Sequence, residues 1–494
     1  MLTGTRWFAL PLMLALLAAG TARGQFDPFG PTEPKTEPKK EPTPEEKKKA
    51  EEARDPRKIL ASLPFEVREV EELPDDVKAT AAIFPIGKKD YGYKGCLYVP
   101  SYYDASRPWP LLVEGVEKHM TAEMLRRFYL QAEKHGFLYL SVEYLFARGA
   151  SAGTQQHWSR EGSRTTTNIQ RPLVDFQTDM AVDEKVLLAT LKEVGDKYNV
   201  EQDAVGITGF LFSGVMAYRM VVAYPKVFCM AVGRSAGFHE AFMPDDASRA
   251  RNRYVYVILG EKETTTLTAA QAAIDFFKKN GFKKLLVERI PNSGVDIRAD
   301  VTANYFRGTF EEILGPEKCE FFRVHKMAMQ CLMGVRFRDA ETAGDMAQPK
   351  KDNKDSDPEK KDESPAPKPP ASEPPSPTTV MNALSQFSEQ YPKSAFKAQC
   401  RFLMGRIAME KLDDKAQADK LLREFADPPL LSSPVAPAAV LYLVEKVIDQ
   451  DAQLNEAVVL LAKIMNRREA PADVRDRARE LRKELMEKRA SQGD

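Results

Sequence analysis

The chain has 494 residues, 43% hydrophobic and 29% charged, with 72 Lys+Arg balanced by 72 Asp+Glu. That length holds two or three domains, each able to bury a core of ordinary size. Balanced charge leaves no basic excess to hold nucleic acid and no acidic tail, so nucleic acid is not an expected partner.

Residues 1–24 read as a signal peptide: Arg6, an apolar stretch from Trp7 to Ala19, and small residues in Ala22-Arg23-Gly24 before Gln25. The stretch falls short of the roughly 20 apolar residues of a membrane span, and no later segment supplies one. Export to a periplasmic, cell-envelope or extracellular location is therefore expected, with no membrane span. Residues 25–58 and 347–379 are rich in Pro, Lys and Glu or Pro, Lys and Ser and read as disordered linkers. They frame a block at 59–346 and leave a second at 380–494. The five cysteines, Cys96, Cys229, Cys319, Cys331 and Cys400, form no CxxC pair and no metal-ligand spacing.

In the first block, strands are expected at Cys96 to Val99, Pro110 to Gly115, Phe137 to Tyr144, Val205 to Gly209, Phe228 to Val232, Tyr254 to Gly260 and Leu285 to Ile290. Helices fall between them at Thr121 to Lys134, Val174 to Tyr198, Ser213 to Tyr224, Leu267 to Asn280 and Ala299 to Leu314. Apolar strands interleaved with helices predict an α/β fold, a mostly parallel doubly wound sheet whose ligand site lies beyond the carboxyl ends of its strands. Ala147 to Pro172 reads as a long, strand-poor insertion, and its Gln155-Gln156-His157-Trp158 is a candidate ligand surface. The second block shows helical periodicity alone: Asn382 to Tyr391, Ala395 to Lys411, Lys415 to Phe425, Pro437 to Asp449, Leu454 to Asn466 and Ala472 to Lys488.

The run Ala204 to Tyr218 is a strand, a tight turn and a helix, with Gly209-Phe210-Leu211-Phe212-Ser213-Gly214 at the turn. Together with Leu97-Tyr98-Val99-Pro100, Trp109-Pro110-Leu111-Leu112-Val113, Leu259-Gly260-Glu261-Lys262 and Ile290-Pro291-Asn292-Ser293-Gly294, it resembles the secreted esterase and polyhydroxyalkanoate depolymerase-like branch of the α/β hydrolases. The resemblance implies a sheet of α/β-hydrolase type and a Ser-His-acid triad.

At each chemical position the residue departs from that pattern. Leu211 occupies the nucleophile position, Val295 the histidine position and Glu263 the acid position. The oxyanion segment, usually His-Gly-Gly-Gly, reads Glu114-Gly115-Val116-Glu117, with Phe212 after the turn as the other donor position. A carboxylate about 4 Å from an oxyanion would oppose it by roughly 4 kcal/mol at an effective dielectric near 20. A GxSxG spelling does occur at Gly233-Arg234-Ser235-Ala236-Gly237, but one strand later and with no strong helix after it. Ser235 accordingly reads as a turn residue, and Ser213 as a first-turn or capping residue of the elbow helix. Glu114, Glu117, His119, Glu263 and Asp296 carry oxygens or nitrogen a cation accepts, yet ordinary surface charge accounts for them, and neither metal nor cofactor is expected.

In the tail, Tyr391-Pro392-Lys393-Ser394, Leu403-Met404-Gly405-Arg406 and Ala418-Asp419-Lys420-Leu421-Leu422 resemble tetratricopeptide repeats, which implies a helical array that meets a protein partner. Two functions compete. One is an exported binding or scaffolding protein with an inactive hydrolase-like domain, whose vestigial pocket takes a small acyl or ester ligand. The other is an active carboxylic ester hydrolase with a relocated nucleophile, Ser235, and His239 four residues on.

Overall fold

The computed structural model describes residues 81–86, 93–116, 121–144, 156–159, 162–165, 170–264, 266–334, 374–450, 452–467 and 469–492. The expected leader and both expected linkers lie outside them, apart from residues 374–379.

Eight strands form one sheet in the order β1-β2-β4-β3-β8-β9-β10-β11. They are β1 (Ala81–Ile86), β2 (Tyr93–Tyr98), β3 (Trp109–Val116), β4 (Leu138–Glu143), β8 (Val200–Phe210), β9 (Met230–Arg234), β10 (Tyr254–Gly260) and β11 (Lys284–Ile290). β2 runs antiparallel to β1 and β4, and every pairing from β4 to β11 is parallel. The mostly parallel, doubly wound sheet read from the sequence is present.

β3, β4, β9 and β10 are buried throughout, as strands covered on both faces must be. On one face lie α1 (Thr121–His135) and the first half of α5 (Ala299–Met333), whose Phe128, Phe306 and Phe310 pack with Leu112, Tyr139 and Val232. The other face carries α2 (Leu173–Lys197), α3 (Phe212–Ala223) and α4 (Leu267–Lys279), packed on Val113, Leu140, Ile207 and Val257.

Three features differ from expectation, the first being β1, for which no strand was expected. The insertion expected to be strand-poor holds a second sheet of three short antiparallel strands, β5 (Gln156–Ser159), β6 (Gly162–Thr165) and β7 (Gln170–Pro172). Their polar residues lack the apolar alternation by which a half-buried strand is recognised. The helix expected to stop at Leu314 continues past a break at Gly315 (φ 76°, ψ 171°) and Pro316 as far as Met333. Proline is tolerated there because it opens the second segment, where its missing N–H has no partner to lose.

That second segment joins the two halves of the protein. Its Phe321 stacks on Phe396 with ring centroids 4.2 Å apart and lies 5.8 Å from Phe387. Phe387 belongs to α6 (Pro377–Gln390), and Phe396 precedes α7 (Lys397–Lys411). One continuous buried cluster runs from Leu97 and Trp109 in the sheet through Phe321 and Met329 to Leu384 and Leu403. Buried Arg107 fills the seam, its guanidinium 3.5 Å from the Trp109 ring centroid and 4.3 Å from that of Phe322. The tail continues through α8 (Lys415–Arg423), α9 (Ala436–Tyr442), α10 (Leu454–Met465) and α11 (Ala472–Gln492), around a second core that includes Leu422, Val440 and Leu461. Among the described residues no helix is long and apolar enough to cross a membrane.

Candidate functional site

Four turns at the carboxyl ends of β8, β9, β10 and β11 converge. At the first, Leu211 adopts φ 53° and ψ −118° between the end of β8 and the start of α3. A bulky L-residue rarely takes positive φ, and such a conformation costs of order 1–3 kcal/mol. The surroundings hold it. Leu211 donates its amide to the Arg234 carbonyl (3.1 Å), and its own carbonyl accepts from Gly214 (3.2 Å) and Gly237 (3.0 Å). Gly209 makes the turn sterically possible, since a Cβ there would sit 2.4 Å from the Ser213 carbonyl oxygen. The strained strand-turn-helix is therefore intact, and it presents an isobutyl group where the resemblance implies a hydroxyl.

Ser213 is occupied locally: its hydroxyl accepts from the Phe210 amide and donates to the Phe210 carbonyl, both at 2.8 Å. Ser235, just past β9, also has positive φ (47°) and is almost wholly buried. Its hydroxyl donates to Glu263 Oε2 at 2.6 Å, and the same oxygen accepts the Gly260 amide at 3.2 Å. Glu263 is buried too, and its Oε1 has no hydrogen-bond partner. The structure thus brings Leu211, Ser235 and Glu263 to one edge of the sheet. Val295 lies in the loop after β11, which is tied to the β10 turn by Lys262 N–H to the Ser293 carbonyl (2.8 Å). Its side chain is 46% exposed.

The described histidines do not complete a triad. His239 follows Gly237, whose amide bonds the Leu211 carbonyl, and its Nδ1 accepts the Ala241 amide at 3.2 Å, capping the short turn Glu240–Phe242. His135, at the end of α1, lies before β4, and burial together with the nearby cations Arg307, Lys134 and Lys326 holds its pKa down at about 3. His325 on α5 is fully buried and pairs through Nε2 with Asp104 Oδ2 (3.1 Å), before β3; burial pushes its pKa below the usual range. Both are therefore at the amino ends of the parallel strands, away from the turns. His119 lies outside the described residues, and so does the side chain of His157, whose backbone is in β5.

The oxyanion assignment does not hold. Glu114, Gly115 and Val116 all belong to β3, one residue beyond the expected strand end at Gly115: they pair with Ser141, Val142 and Glu143 of β4, and the first two also with Thr208 and Gly209 of β8. Sheet pairing there keeps their backbone extended. Glu114 does not face an oxyanion site. It is fully buried on the α1 face, ion-paired with Arg234 and accepting the Tyr139 hydroxyl at 2.9 Å. Arg234 reaches across β8 to make that pair, gives Nη1 to the Ile297 carbonyl (2.6 Å), and lies 5.2 Å from the Phe128 ring centroid. Burial raises the pKa of Glu114, and the adjacent guanidinium opposes that rise. Over Gly115 lies the ring of Tyr144, so close that a Cβ on the glycine would fall 1.7 Å from Cε2. Phe212 is the first residue of α3 and half-buried.

Of the five groups with cation-ligating atoms, Glu114 and Glu263 are committed as above. Asp296 accepts the Ile297 amide (2.7 Å) and faces Arg298, while Glu117 and His119 are outside the described residues. Among the described residues no cluster of three such side chains forms a metal site. The buried Arg234 and Tyr144 have no motif of their own in the sequence. Arg234 was legible only as a letter inside GRSAG, although an arginine within an apolar strand signals a buried partner.

No protein-family model matches the chain, and no curated protein matches it. Solved structures do. The chain is similar to a thermostable esterase (13% identity, TM-score 0.32), the match covering 47% of this chain and 61% of that one. It is similar also to a ferulic acid esterase from Anaeromyces mucronatus (11% identity, TM-score 0.36, 49% of this chain and 97% of that one). A fluorophosphonate-binding serine hydrolase of Staphylococcus aureus matches at 11% identity and TM-score 0.33, over 48% of this chain and 98% of that one. At such values the fold rests on the observed strand order and parallel crossovers: a mostly parallel sheet of α/β-hydrolase type, followed by a helical region.

Proposed function

We propose that this chain is an exported binding or scaffolding protein in which a hydrolase-type sheet has been kept without its hydrolytic chemistry. The supporting observation is Leu211 in the nucleophile turn at φ 53°. Loss of the attacking group alone costs on the order of 10⁶ in turnover in a serine protease. Val295 in place of the histidine, and the Tyr144 ring over Gly115, point the same way. A small acyl or ester ligand would lie at the carboxyl edge near Leu211. A protein partner would meet the tetratricopeptide-like tail, where an open groove of about 390 Å³ is lined by Arg423, Asp427, Glu456, Val459 and Lys463.

A second reading has one observation in its favour: Ser235 is a serine at positive φ whose hydroxyl already touches a carboxylate. In that reading Glu263 would serve as the base for a relocated nucleophile. Purified full-length protein incubated with a fluorophosphonate probe, followed by peptide mass spectrometry, separates the two. Absence of an adduct agrees with the binding role. Covalent phosphonylation of Ser235 that is lost in Ser235→Ala overturns it.

A further inference from the structure

β11 is the last strand of the sheet, and among the described residues no strand pairs with its outer edge. It is unusually bare for such a position: Leu286 and Val287 are 37% and 39% exposed. Exposed apolar edges are avoided or covered in folded proteins, because their free N–H and C=O groups template a further strand. β11 carries neither proline nor a bulge, and it pairs in unbroken register with β10 from Lys284 to Ile290.

We propose that this edge pairs, antiparallel and about a two-fold axis, with β11 of a second copy, giving one sheet continuous through both molecules. Symmetry restricts the register. The axis is perpendicular to the sheet, so opposed residues must lie on the same face and the sum of their numbers is even. A single residue then sits on the axis: Leu285, Leu286 or Val287. With Leu285 on the axis Lys284 faces Leu286, and with Val287 on it Leu286 faces Glu288. Only Leu286 on the axis sets Lys284 opposite Glu288 twice, with Leu285 opposite Val287 on the other face. Opposite charges directly across an antiparallel pair favour that register. Lys284 contacts Glu312 (2.9 Å) and the Tyr254 hydroxyl, and Glu288 accepts from Tyr305, so both charges stand on the α5 face and would exchange these contacts for the cross-strand pairs. The end pair Lys283 and Arg289 is like-charged and limits the ladder to its central residues. This interface is separate from the turn that holds Leu211.

Sedimentation velocity on the full-length protein, with Leu286→Arg, Leu286→Cys and Val287→Cys, tests the pairing. A reversible dimer is expected for the wild type. Leu286→Arg, which sets two cations face to face on the axis, is expected to weaken it at least about a hundredfold while circular dichroism stays native. Mild oxidation should link Leu286→Cys into a disulfide dimer on non-reducing gels, because directly opposed Cα atoms are about 4.5–5.5 Å apart. Val287→Cys should link poorly, since diagonal neighbours lie roughly 7–8 Å apart. The wild type controls for partly exposed Cys319. A monomeric wild type without Leu286→Cys cross-linking overturns the proposal, even if hydrogen exchange finds the edge protected within one chain. So does a dimer that Leu286→Arg leaves intact, or one in which Val287→Cys links as well as Leu286→Cys.

Discussion

The Glu114–Arg234 pair gives the sharpest quantitative expectation. Both side chains are fully buried, and among the described residues the guanidinium is further supported by the Ile297 carbonyl and the faces of Phe128 and Phe210. Glu114→Leu keeps the volume roughly constant and strands that cation in a core of Leu112, Val232 and Phe306. Removing one partner of a buried ion pair costs about 3–5 kcal/mol. Arg234→Met leaves Glu114 with the Tyr139 hydroxyl alone, and burial then favours its neutral form, so a smaller loss of about 2–4 kcal/mol is expected. The double variant Glu114→Leu with Arg234→Met removes both charges and should lie within about 2 kcal/mol of the wild type. The two losses are therefore strongly non-additive, with a coupling of several kcal/mol. Urea denaturation followed by fluorescence of the buried Trp109 reads this out. With a slope of about 3 kcal/mol per molar urea, Glu114→Leu should lower the midpoint by roughly 1–1.7 M. A loss under about 1 kcal/mol, or additive single losses, would refute the buried pair.

Other expectations follow from the same turns. Leu211→Gly relieves about 1–3 kcal/mol of backbone strain and loses roughly 1.5–2.5 kcal/mol of half-buried side chain and chain entropy, so its stability should stay within about 1 kcal/mol of the wild type. Leu188→Gly, also half-buried but in regular helix, should cost about 2–2.5 kcal/mol, and similar losses for both would sink the strain argument. Ser235→Ala leaves the buried Glu263 carboxylate with the Gly260 amide as its remaining bond and should destabilise by about 1–3 kcal/mol, without changing ester hydrolysis. His135 and His325 both have pKa values below that of an unfolded histidine, so the unfolded state binds more protons below pH about 6.5. Their stabilising contribution is present above that pH and is lost as pH falls toward about 3 for His135, at about 1 kcal/mol per pH unit for each. Urea midpoints at pH 7.5, 6 and 5 check it, and His135→Gln should flatten the slope.

The sheet was legible because its strands are continuous apolar runs and its helices amphipathic, and Tyr254–Gly260 coincides with its expected range to the residue. β1 and the second half of α5 were not: Gly315-Pro316 reads as a stop, and only packing on Phe387 and Phe396 shows why the chain resumes as helix. At the site, the turn was legible in the spacing of Gly209, Ser213 and Gly214 around Leu211. Spacing along one strand cannot reveal a partner across it, which is why the sequence alone places Glu114 against an oxyanion when its partner is Arg234. Tyr144 shows the same limit, since its place over Gly115 depends on the register of β3 with β4.

The shared core between sheet and tail has a consequence for the chain as a covalent object. Residues 335–373 connect α5 to α6 in the chain, and those two helices already meet through Phe321 and Phe387 in one buried cluster. The peptide connection between them is therefore mechanically redundant. A protein cut once in that stretch would persist as a two-fragment complex, and the fragments, expressed apart, would be competent to find each other.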